Sequence, residues 1–93
     1  MTDVRAGQGA PHWIEFLVEG TSPSGITSIF TVAPKQGGGA LGTVRWYAPW
    51  RKYAFFPRPD TLYEQDCLRD IATFCENETA AQRKRRAARV THV

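Results

Sequence analysis

The chain has 93 residues, a formal net charge of +3, 42% apolar and 23% charged residues. These values fit one small folded domain with a modest core and exclude a disordered chain. The apolar runs are only a few residues long, which argues against a transmembrane span or a secretory leader and makes the cytoplasm the expected setting.

Residues 1–11 are rich in Gly and Ala, lack an apolar period and read as a flexible N-terminal arm. His12 to Glu19 then alternates, with Ile14, Phe16 and Val18 on one side and Glu15, Leu17 and Glu19 on the other, as a strand does. The cluster "GTSPSG" is a turn. Ile26 to Val32 is largely β-branched and predicts a second strand. "APKQGGG" follows as a loop.

The stretch "WYAPWRKYAFFPRP", residues 46–59, holds six of the eleven aromatic residues together with Arg51, Lys52 and Arg58. Leu41 to Tyr47 and Arg51 to Phe56 predict a hairpin. Its turn falls at Ala48-Pro49-Trp50-Arg51, because proline's fixed φ suits the second turn position. This turn opposes Tyr47 to Lys52, Trp46 to Tyr53, Arg45 to Ala54 and Val44 to Phe55. Alternation then sorts the hairpin into two faces. Val44, Trp46, Tyr53 and Phe55 make a core face. Thr43, Arg45, Tyr47, Lys52, Ala54 and Phe56 make a face that is aromatic and basic together.

Pro57 and Pro59 end the strand, since neither can donate to a ladder. "DTLYEQDCLRDIATFCENE" is helical in pattern: Thr61 to Glu64 fits a capping box, and Tyr63, Cys67, Ile71, Phe74 and Cys75 form an apolar stripe. Beyond Cys75 the stripe ends, so residues 80–93 read as a basic helical or frayed tail that buries little. The expected architecture is an α+β domain over residues 12–79, with a four-stranded antiparallel sheet followed by one C-terminal helix in two layers.

Cys67 and Cys75 on one helix would stand about 12 Å apart, too far for a disulfide, and are expected reduced and buried. With no His nearby and too few ligands, no metal is expected. The triple glycine lacks the following Lys-Ser/Thr of a phosphate loop, and no Ser-His or Cys-His pairing is evident. The expectation is a binding protein with no catalytic residues and no cofactor.

Charge is segregated. From Gly20 to Pro59 there is no acid, against Lys35, Arg45, Arg51, Lys52 and Arg58; residues 60–78 hold six acids; the tail carries Arg83, Lys84, Arg85, Arg86 and Arg89. Such blocks set up a directional field. A solvated sheet face and a solvated helix end are the bland explanations for these bases, and an exposed Phe56 among them fits the first poorly. The candidate binding set is therefore Arg45, Tyr47, Trp50, Arg51, Lys52 and Phe56, with Arg83, Lys84, Arg85 and Arg86. Nucleic acid, single-stranded above all, is the favoured partner, with bases stacking on Tyr47, Phe56 and Trp50 and phosphates meeting the bases. The alternative is docking of another protein through Trp50 and Phe56 as anchors. A homodimer is compatible with either.

Residues 41–76, "LGTVRWYAPWRKYAFFPRPDTLYEQDCLRDIATFCE", resemble a group of small phage and prophage proteins. The match lies at Gly42, Val44, Arg45, Trp46, Tyr47, Trp50, Arg51, Tyr53, Phe55, Phe56 and Pro57, and at Cys67, Leu68, Ile71 and Phe74. The resemblance implies a viral origin and a host-cytoplasm setting, so that a docked protein would be a host or phage protein, with no activity attached. The strand order with a trailing helix is also similar in architecture to single-strand-binding folds such as PC4-like coactivators and PUR repeats, an analogy of fold alone.

Overall fold

A computed structural model describes residues 13–91, with side chains through Ala88. The expected arm at residues 1–11, His12, His92 and the Arg89 and Val90 side chains lie outside the described residues. The strands are β1 (Ile14–Thr21), β2 (Ser28–Pro34), β3 (Gly42–Tyr47) and β4 (Lys52–Pro57), followed by a single helix, α1 (Gln65–Thr91). The sheet is antiparallel throughout in the order β1-β2-β3-β4. The expected α+β fold is the observed one.

The hairpin register agrees with the turn reading, pairing Tyr47 with Lys52, Trp46 with Tyr53, Arg45 with Ala54 and Val44 with Phe55. Ala48–Trp50 forms one 3₁₀ turn with Pro49 in its first turn, and Arg51 closes it in the left-handed region at φ 55°. The Arg51 N–H donates to the carbonyls of both Tyr47 and Ala48 at 3.0 Å. Gly42, at the far end of β3, sits where a Cβ would come within 2.4 Å of the Phe56 carbonyl oxygen and 2.9 Å of the Pro57 α-carbon. Only glycine lets β3 and β4 approach this closely.

The core lies between the sheet and α1. Val32, Val44 and Cys67 are fully buried, joined by Ile14, Phe30, Tyr53 and Ile71, with Phe16, Trp46, Phe55 and Phe74 packed around them. Phe74 stacks on Phe16 with ring centroids 4.0 Å apart and meets Phe30 edge-on at 4.8 Å. Both cysteines are free; burial raises the Cys67 thiol and pushes that of Cys75 up to about 11, with Glu76 adding to it. Burial also raises the Tyr53 phenol. Its hydroxyl has no hydrogen bond of ordinary geometry, although the Ser28 backbone N–H opposes part of the rise.

Three sequence expectations are corrected. The second strand begins at Ser28, leaving Ile26 exposed in the turn. The helix starts at Gln65, and Thr61 does not cap it: the Glu64 carboxylate accepts the N–H groups of Asp66 and of Cys67 (3.2 Å), along with the Trp13 indole N–H at 3.1 Å. The Thr61 hydroxyl instead lies 2.8 Å from both the Arg58 carbonyl and the Tyr63 hydroxyl, in the turn before the helix. Finally, the stretch beyond Cys75 does bury surface. The Thr79 hydroxyl accepts a 2.9 Å bond from the buried Tyr53 N–H, and Gln82 is only 5% exposed.

Candidate nucleic-acid interface

The sheet face turned away from α1 carries the hairpin's aromatic and basic set. Arg45 pairs with Ala54, whose small side chain leaves space on this face. The Arg45 guanidinium leans across it and lies 3.8 Å from the Phe56 ring centroid. Tyr47 occupies the other side, edge-on to Phe56 at 6.2 Å and to Trp50 at 4.8 Å. These contacts leave Tyr47 and Phe56 half-buried, while Arg45, Arg51 and Lys52 are exposed and Trp50 is 66% exposed. Five of the six hairpin candidates thus belong to one connected surface: Arg45, Phe56, Tyr47 and Trp50 in a chain of ring contacts, and Arg51 next to Trp50 at the tip.

Lys52 departs from this grouping. It stands at the start of an edge strand and lines a groove with Tyr53, Thr79, Ala80 and Arg83 on the helix side. Arg83 reaches the same corner and donates to the Arg51 carbonyl at 3.1 Å. The hairpin tip and the basic helix therefore meet, bringing Arg51, Lys52 and Arg83 to one corner of the domain.

The other tail bases point elsewhere. Arg85 donates to the Gln82 side-chain carbonyl at 2.8 Å, Arg86 lines a cleft with Trp46 and the β1–β2 turn, and Lys84 is exposed. At about 100° per residue, four consecutive helical positions cannot share one face.

Two features of the surface carry no simple signal in the sequence. Phe56 is capped by Arg45, so the outermost layer is a guanidinium plane and an indole rather than a bare phenyl. The outer face is also polarised, because Glu15 and Glu19 lie on the β1 side, where Glu19 accepts the Thr31 hydroxyl proton at 2.5 Å. Among the described residues, no group of three or more His, Cys, Asp or Glu could hold a metal ion, and no helix is long and apolar enough to cross a membrane.

No family model matches the chain, and no curated protein and no solved structure matches it significantly. The functional reading rests on the geometry of this surface.

Proposed function

We propose that the protein is a small accessory protein that binds single-stranded nucleic acid along the β3–β4 side of the outer sheet face and around the hairpin tip. The observation that carries this reading is the Arg83–Arg51 bond, which joins the basic helix to the hairpin tip that exposes Trp50. Aromatic and guanidinium planes stack bases without regard to sequence, while neighbouring cations track the phosphates. Trp50 and the Arg45 plane serve as the stacking surfaces; Tyr47 and Phe56 hold them from beneath. Arg51, Lys52 and Arg83 meet phosphates.

The test is fluorescence anisotropy with a labelled single-stranded oligonucleotide across a salt series. Affinity falls linearly in the logarithm of salt, as counterion release requires. Trp50→Ala and Arg45→Ala each weaken binding by about 1–3 kcal/mol, the range for one stacked base. No binding at low salt refutes the reading. A second reading has one observation behind it: an indole 66% exposed and braced edge-on by Tyr47 is also the form of a protein-docking anchor. Under that reading, binding to a host or phage protein survives nuclease treatment, depends weakly on salt and is lost in Trp50→Ala.

A further inference from the structure

On the helix side of the sheet a second cavity of about 460 Å³ opens between the β1–β2 turn, the end of β3 and α1. Its size falls within the range of small-molecule sites. Trp46 and Ile26 supply apolar walls, and Ser22, Ser24, Gln82 and Arg86 supply the polar groups. No acidic side chain lines it among the described residues.

The polar groups are arranged as donors. Gln82 lines the cleft and is only 5% exposed, and Arg85 occupies its carbonyl oxygen at 2.8 Å, which orients the amide. Ser22 and Ser24 share one hydrogen bond at 3.1 Å, and each also accepts a backbone N–H, from Thr27 and Ile26, at 3.3 Å. Of their two hydroxyl protons only one is spent between them, so the other can donate to a ligand. Arg86 adds a full positive charge at the mouth.

The Trp46 indole is held edge-on by Tyr53 at 5.5 Å, which fixes its orientation. A ligand that satisfies the whole lining carries an anionic, acceptor-rich group at one end and a planar ring at the other.

We propose that this cleft binds a nucleotide unit, with its phosphate taken by Arg86 and the serine hydroxyls, its base against Trp46, and an acceptor on the base or sugar meeting the Gln82 amide. That chemistry is offered equally by a free mononucleotide and by the phosphorylated end of a strand. The cleft lies across the sheet from the outer face and is independent of the role proposed for Trp50 and Arg45.

The experiment is a titration of the full chain followed by the Trp46 indole and Gln82 side-chain amide signals in ¹H–¹⁵N spectra. The probes are AMP, UMP, inorganic phosphate, adenosine and a 5′-phosphorylated dinucleotide. The expected result is saturable shifts at both signals with a nucleotide Kd on the order of 0.1–1 mM, and phosphate or adenosine at least about tenfold weaker. Gln82→Glu, which places a carboxylate in the cleft, weakens binding at least about tenfold, and Ser24→Ala, in an exposed turn that tolerates the change, about threefold. The Trp50 indole signal, read in the same spectra, reports the outer face separately from this site. Tighter binding of the dinucleotide identifies the strand end as the ligand, and equal binding identifies the free nucleotide. The inference is overturned by an absence of shifts at about 10 mM nucleotide, by phosphate binding as tightly as nucleotide, or by wild-type affinity in Ser24→Ala together with a folded Gln82→Glu.

Discussion

Replacing Thr79 by valine tests how the helix is attached to the sheet. β4 is an edge strand, and its Tyr53 N–H points away from β3, toward α1, where the Thr79 hydroxyl accepts it at 2.9 Å. Both residues are buried, Thr79 at 8% exposure and Tyr53 at 4%, so water cannot replace the lost acceptor. Valine has the same shape and a similar helix propensity, which isolates the hydrogen bond from packing and propensity effects. An unsatisfied buried N–H costs about 1–3 kcal/mol. In a domain of this size each kcal/mol lowers the melting temperature by about 4–8 °C, so Thr79→Val should melt roughly 5–20 °C lower. Thr79→Ser keeps the hydroxyl and gives up one methyl, worth about 1 kcal/mol, and should fall between valine and wild type. Urea denaturation with an unchanged m-value checks that the native state, not the unfolded chain, has been altered. A valine variant as stable as wild type, or a serine variant as damaged as valine, refutes the role assigned to this bond.

Three other outcomes are expected. Arg51→Gly relieves a left-handed backbone at φ 55° while adding glycine's backbone entropy, two terms of about 1 kcal/mol with opposite signs, so stability should stay nearly constant. The salt slope of oligonucleotide binding should nevertheless fall by about one, read from the same anisotropy series. Gly42→Ala drives a methyl into backbone atoms of Phe56 and Pro57 and should destabilise by roughly 1–3 kcal/mol in thermal melts. Burial alone would raise the Glu64 carboxyl, but bonds from the Cys67 and Asp66 N–H groups and the Trp13 indole, with Arg69 nearby, hold it below the ordinary 4.5. A lowered folded value means its contribution is complete above about pH 4.5 and is lost as pH falls through the folded pKa. Glu64→Gln should therefore flatten the acid side of the melting-temperature profile and leave its shape near pH 7 unchanged.

The hairpin was legible because two independent signals agree there. Pro49 fixes the turn, and once the turn is fixed, period-two alternation sorts every side chain between β3 and β4. The helix start was not legible, since "TLYE" satisfies a capping pattern wherever Thr61 is free to cap. In the folded chain the turn at Arg58–Asp60, with Asp60 at φ 61°, recruits the Thr61 hydroxyl to the Arg58 carbonyl instead. Capping then passes to Glu64. The outer surface was legible in composition but not in contact. Pairing opposes Arg45 to Ala54 and Thr43 to Phe56, and the Arg45–Phe56 contact is the diagonal neighbour that a small residue at position 54 permits.

The packing of the helix beyond Cys75 is hidden for a related reason. The apolar stripe ends at Cys75, yet the same steps of three and four continue through Thr79, Gln82 and Arg86 in polar side chains. Those side chains pair or line cavities on the core-facing side: Thr79 binds the edge of β4, Gln82 turns its amide into the cleft, and Arg86 stands at its mouth. Arg83, about 60° away from Arg86 around the helix axis, reaches the hairpin tip. Sequence adjacency made the cluster "RKRR" look like one electrostatic unit. Helical geometry divides it, sending Arg83 to the hairpin tip and Arg86 to the cleft beside Trp46, so removing the four together would blur the two proposed binding sites that single substitutions can separate.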